Sequence, residues 1–204
     1  MCVCVCISDI CIDLLYCQDF PYEVIVSNFE EDLDKAAFHK PAHYCVESAS
    51  RKALDVARTL TDDERMPDLV IGADTVVAMD DQIYEKPGSR TEAIDMLTKL
   101  VAGKSHTVYT GVALVTHKPE FRHVLNVHSF SERTRVFMAD LSPAVIAAYV
   151  DTGESMDKAG GYGIQGKGGS LIKAVEGDYF NVMGFPLHRF CTELIKLYTD
   201  LGVF

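Results

Sequence analysis

Apolar residues recur along this chain with two periods, and the changes between them predict its elements. Cys2, Cys4 and Cys6 alternate with Val3, Val5 and Ile7, the pattern of a strand that is apolar on both faces. A short helix is expected over 10–17, a strand over 22–27 and a charged loop over 28–35. Val46, Ala49, Ala53, Val56, Ala57 and Leu60 recur at three and four, which predicts a helix over 43–60 with one apolar stripe. Residues 69–72 read as a short apolar strand ending in Ala73-Asp74-Thr75. Residues 76–79 and 82–85 read as a hairpin turning at Asp80-Asp81.

Ser89 and Glu92 have capping-box spacing and open a predicted helix that runs to Val101 and closes at Gly103. Two long strands over 106–116 and 123–138 suggest an antiparallel pair. Ser142 with Pro143 starts a further helix, and Gly153 ends it. Residues 177–182 read as a strand running into a helix start, with Asp178 and Asn181 as turn and cap residues. The last helix is expected from Pro186, burying Leu187, Phe190, Cys191, Leu194 and Tyr198. The fold class is therefore α/β, a mixed twisted sheet with flanking helices. No repeat or linker interrupts the chain, so one domain is expected over 1–204, with an atypical segment at 1–19.

Composition narrows the function. With 204 residues, 48% of them hydrophobic, the chain can bury roughly 70% of its unfolded surface, and disorder is excluded. Thirty acids against nineteen bases leave a net charge of −11, whereas a general nucleic-acid binder would show a basic face, so sequence-independent duplex binding is not expected. A polyanionic small molecule would need local lysines, backbone N–H groups or a divalent cation. No run reaches the ~18 apolar residues of a membrane span. Five of the seven cysteines fall in the first seventeen residues, without a charged secretory n-region before them or a zinc-type spacing among them. Reduced thiols in a buried strand are the expected reading.

Three segments carry candidate chemistry. In Ile71-Gly72-Ala73-Asp74-Thr75-Val76-Val77, an apolar strand is expected to deliver Asp74 at its carboxyl end, a position suited to a base or metal ligand. An Asx-turn carboxylate is the structural alternative. In Glu85-Lys86-Pro87, Lys86 is a compact charge that suits a phosphate oxygen, although such lysines are commonly just solvated. The third segment runs from Gly153 to Gly166. Six of the ten residues from 160 to 169 are glycine, in a chain with only fourteen. Such a loop can bring backbone N–H groups to an anion or base, and Gln165 presents a donor and an acceptor together. A glycine-rich hairpin is the alternative. Lys52 flanks the stripe of the first long helix, where a solvated surface lysine is expected.

Taken together, GADTVV, EKP, GE-x-MDKAGGYGIQG and GDYFNVMGFPL resemble the motifs of the Maf family of nucleoside triphosphate pyrophosphatases, in that family's order. The likeness runs over about 20–198, and AGGYGIQG is its most specific part. The resemblance implies an α/β fold with a deep cleft, similar to inosine triphosphate pyrophosphatases, in proteins that are usually cytoplasmic and often homodimeric. It implies hydrolysis of a nucleoside triphosphate between the α- and β-phosphates with a divalent cation, Mg or Mn. The AGGYGIQG form resembles the dTTP/UTP branch. Carried over by motif, Asp74 would accept the proton of the attacking water or reach it through the metal as a ligand. Thr75 and Gln165 would tune base choice, and Lys52 and Lys86 would hold phosphate oxygens.

One segment departs from the family pattern. The family's S-x-S-x-R-R motif falls on residues 6–11, where Ser8 matches the second serine. Ile10 and Cys11 stand in place of both arginines, Asp9 adds a negative charge, and Asp13 replaces a glutamate. Two lost phosphate contacts, each worth on the order of 1.5–3 kcal/mol, would weaken binding or rate about a hundredfold or more. A second reading follows: a nucleotide-binding or dimerisation module without catalysis.

Overall fold

Small side chains on one helix face decide how the first half of the chain packs. The computed structural model describes residues 2–5, 22–60, 67–80, 82–118 and 121–200. Helix α1, Pro41–Leu60, starts with proline at its first position, where the missing N–H costs nothing. It buries Ala49, Ala53, Val56 and Ala57 from the expected stripe, together with Tyr44, Cys45, Ser48 and Lys52. The helix predicted over 10–17 lies outside the described residues.

Strands β1 (Cys2–Val5), β2 (Tyr22–Val24) and β3 (Leu69–Met79) come first along the chain. They are followed by β4 (Gln82–Tyr84), β5 (Ser105–Lys118), β6 (Phe121–Met138) and β7 (Ile172–Glu176). Hydrogen bonding orders them β2-β1-β3-β5-β6-β7, with β4 on β3. β1 is parallel to β2 and β3, whereas β4 is antiparallel to β3 and β7 to β6, so the sheet is mixed as expected. The strand expected over 22–27 stops at Val24.

The chain divides into two compact units. The first comprises Met1–Asp74, Thr110–Glu132 and Gly184–Phe204. Its core joins the alanine face of α1 to Val70 of β3 and Ala113 and Val115 of β5. The contact is close enough that a Cβ on Gly72 would overlap the Ala49 carbonyl and lie 2.9 Å from Ala53 Cβ. Gly111 lies equally close to the Cys45 backbone. Helix α5, Leu187–Asp200, buries Phe190, Glu193 and Leu197. Leu187, Cys191, Leu194 and Tyr198 are only half-buried, contrary to expectation. The unexpected Glu193 accepts from Arg189 and Lys196 and bonds His128 at 3.0 Å.

The second unit comprises Thr75–Tyr109 and Arg133–Met183. Helix α2, Arg90–Ala102, is capped by Ser89, whose hydroxyl accepts from Glu92 N. The Glu92 carboxylate takes the Gly88 N–H instead of returning to Ser89, so only half of the capping box forms. Helix α3, Pro143–Val150, is capped by Ser142 as predicted. Beyond it, three short 3-10 turns replace any glycine-rich hairpin: Glu154–Asp157, Ala159–Gly161 and Lys167–Leu171. Residues expected to form a strand running into a helix start instead form helix α4, Tyr179–Met183, which Asp178 caps through the Phe180 N–H. Asn181 is no cap: it is buried and donates to Val108 O and Thr134 Oγ1.

Candidate active site

The carboxylate of Asp74 is the natural starting point. β3 continues unbroken from Leu69 to Met79, so Asp74 stands in mid-strand and not at a strand end. β3 is buried without alternation from Leu69 to Ala73 and again from Val76 to Ala78, and only Asp74 and Thr75 between these runs are half-buried. An apolar strand thereby carries a carboxylate into poorly solvated surroundings, where it must be paired.

Its partner is Lys52. The lysine side chain is 1% exposed, which overturns the expectation of a solvated surface lysine. Lys52 Nζ donates to Asp74 Oδ1 at 2.7 Å and reaches Glu31 Oε2 at 3.1 Å. Ser48, one helical turn earlier and also buried, hydrogen-bonds Asp74 through its side chain. Burial works to discharge the Lys52 ammonium, but Asp74 and Glu31 prevail and hold its pKa above the ordinary lysine value. Burial pushes the Asp74 carboxyl above the ordinary carboxylate range, aided by Glu31, and Lys52 offsets this only in part.

Glu31 was not anticipated. It lies in the acidic loop before α1 and is 48% exposed, and charge alone does not distinguish it from Glu30 or Asp32. Its relation to Lys52 is what marks it. Asp74 and Glu31 together offer two hard oxygen donors converging on one cationic atom. That set suits Mg²⁺ or Mn²⁺, which bind through one or two carboxylates and complete their shell with water and phosphate oxygens. No cluster of three or more metal-ligating side chains occurs among the described residues.

In the second unit, Lys86 follows β4 with an exposed side chain, and Gln165 is exposed between two 3-10 turns. The two motifs that hold them touch, since Gly160 N donates to Glu85 O at 3.2 Å. Gly160 has φ +72 and packs against Val77, where a Cβ would lie 2.7 Å from Cγ2. Tyr162, from the same segment, is buried and bonds His106 Nε2 at 2.6 Å. Ser8, Ile10 and Cys11 lie outside the described residues.

Comparison with known proteins adds a third kind of finding. A profile of the family described as Maf-like protein matches residues 12–197. A human protein named "Probable bifunctional dTTP/UTP pyrophosphatase/methyltransferase protein" is 49% identical over 180 residues. That alignment covers 87% of this chain but 29% of the human protein. The dTTP/UTP pyrophosphatase of Bacillus cytotoxicus is 40% identical over 182 residues, covering 89% of this chain and 87% of the bacterial one. Among solved structures, a nucleoside-triphosphatase / dITP/XTP pyrophosphatase of Mycobacterium abscessus aligns with TM-score 0.41 and 14% identity, over 69% of this chain and 76% of that one.

Proposed function

This chain belongs to the Maf-like protein family, and on that premise we propose that it hydrolyses dTTP and UTP to the monophosphate and pyrophosphate. The observation that carries the reading is the ion cluster of Asp74, Lys52 and Glu31 within the family-matched region. A relative named dTTP/UTP pyrophosphatase, 40% identical over an alignment covering 87% of its length, supports the choice of base.

In this reaction water attacks the α-phosphorus, the bond from that phosphorus to the bridging oxygen breaks, and pyrophosphate leaves. Asp74 is assigned as proton acceptor for the water. A carboxyl raised above its ordinary range is a stronger base than a free aspartate. Lys52 keeps it oriented and supplies positive charge where phosphate charge develops. Lys86 is assigned to a phosphate oxygen, Thr75 and Gln165 to the base, and Ser8 to the triphosphate. A divalent cation held by Asp74 and Glu31 would neutralise triphosphate charge that a −11 protein otherwise repels. The reading includes a cytoplasmic homodimer without nucleic-acid partners. None of the described helices is long and apolar enough to cross a membrane.

A second reading rests on one observation. The family match starts at residue 12, and Ile10 and Cys11 precede it where the resembled motif has arginines. A nucleotide-binding or dimerisation module without turnover would follow. Pyrophosphate release from a panel of nucleoside triphosphates with Mg²⁺ or Mn²⁺, with Asp74→Asn as the blank, separates the two. Release that the blank lacks supports the hydrolase. No release from folded protein, with metal-dependent thermal stabilisation by a non-hydrolysable dTTP analogue, supports the module.

A further inference from the structure

Gln165 is exposed in a segment with no regular secondary structure, yet a residue that reads a base edge must be held still. The holding groups come from outside the glycine-rich stretch. Glu154 Oε2 accepts from Lys167 N at 2.9 Å, and Oε1 accepts from Gly168 N at 2.9 Å. Tyr149, buried near the end of α3, donates its hydroxyl to Glu154 Oε1 at 3.1 Å. The same hydroxyl accepts from Gly163 N at 3.2 Å. One carboxylate and one phenol thus hold the backbone two residues before Gln165 and two and three residues after it.

Two glycines in this stretch are explained by the brace. Gly166 lies directly beside the Glu154 carboxylate. A Cβ there would lie 2.5–2.7 Å from the Glu154 carboxylate atoms. A Cβ on Gly168 would lie 2.6 Å from the Gly163 carbonyl oxygen and 2.7 Å from the Tyr149 hydroxyl. Burial alone would raise the Glu154 carboxyl, but the two amides and the phenol outweigh it and hold the group below its ordinary range, so it accepts as a charged group at neutral pH.

We propose that Glu154 and Tyr149 are positioning residues that fix Gln165 and thereby set discrimination between bases. This rests on the reading of Gln165 as a base-contacting residue. A neutral glutamine at 154 turns an acceptor oxygen into an NH₂ donor, so at least one of the N–H or O–H donors that now meet at the carboxylate faces another donor.

The test compares wild type with Glu154→Gln and, as the milder change, Tyr149→Phe. Amide hydrogen exchange over 163–168 and kcat/KM across the nucleotide panel are measured for each. In Glu154→Gln, exchange at Lys167 and Gly168 should quicken about tenfold. In Tyr149→Phe the gain should centre on Gly163. In both, the kcat/KM ratio between preferred and poor nucleotides should fall about tenfold, carried by KM, with kcat within about threefold of wild type. Unchanged exchange, or an equal loss of kcat on every nucleotide with the ratio intact, overturns the proposal. If wild type releases no pyrophosphate, the hydrolytic reading falls by itself. Exchange then decides the brace, faster exchange upholding it and unchanged exchange overturning it.

Discussion

Lys52 donates to Asp74 at 2.7 Å from a side chain that is 1% exposed, so helix α1 and strand β3 are joined by an ion pair as well as by their alanine and glycine contacts. The asymmetry of the pair sets its mutational signature. Lys52 keeps Glu31 when Asp74 loses its charge, whereas Asp74 has Lys52 as its cation at hydrogen-bond distance.

Asp74→Asn should therefore abolish turnover by removing the base, a loss of about 10²–10⁴-fold or more, while the protein stays folded. Lys52→Met should instead cost about 3–5 kcal/mol, because it leaves a buried carboxylate without its cation. Pyrophosphate release and urea unfolding of both variants measure this. Unchanged turnover in folded Asp74→Asn removes Asp74 from the mechanism.

Gly72→Ala places a methyl group against the Ala49 carbonyl and 2.9 Å from Ala53 Cβ. Both neighbours belong to α1, one of them backbone, so strand and helix must separate. A cost of about 1–3 kcal/mol is expected, with lowered turnover because Asp74 lies two residues along the same strand. Thermal unfolding and kcat together check this, and an unchanged melting temperature counts against close packing as the reason for the glycine.

These cases show what the sequence carried and what it did not. The stripe of α1, the caps at Ser89 and Ser142 and the mixed sheet were legible, since each is a local signal of period or cap chemistry. Asp74 and the glycine-rich segment stood out because their composition is unusual for packed structure. Lys52 was misread because periodicity marks it as polar, and only the facing strand reveals that a carboxylate waits for it. Glu31 was missed for the same reason: one acidic residue in an acidic loop becomes distinct only by its tertiary partner. The strand end expected at Ala73-Asp74-Thr75 does not form: Gly72 serves close helix contact, and the strand runs on to Met79.

Ile10→Arg with Cys11→Arg restores the charges that the resembled motif places before the family-matched region. Two charge-assisted phosphate contacts of about 1.5–3 kcal/mol each should raise kcat/KM about a hundredfold or more. Steady-state kinetics on dTTP and UTP measure the gain. No gain in a folded variant means that residues 6–11 do not occupy the place of that motif.

His106 is 3% exposed and bonds Tyr162 of the glycine-rich segment through Nε2, while Nδ1 has no hydrogen-bond partner. Burial lowers its pKa to about 4, because a protonated ring would bring a charge and a second N–H to an interior that offers no acceptor for it. The unfolded chain, with histidine near 6.5, binds the proton more readily. Stability from this group is therefore complete above about pH 6.5, declines as pH falls towards 4, and is fully lost below that. The gap is worth about 3 kcal/mol. Urea unfolding at intervals from pH 7 to pH 4 should show wild type losing about that much more than His106→Gln, which has no proton to take up. Parallel curves for the two proteins would mean that the ring is hydrated or partnered when charged, and that its burial does not control the acid stability of the unit that carries Tyr162.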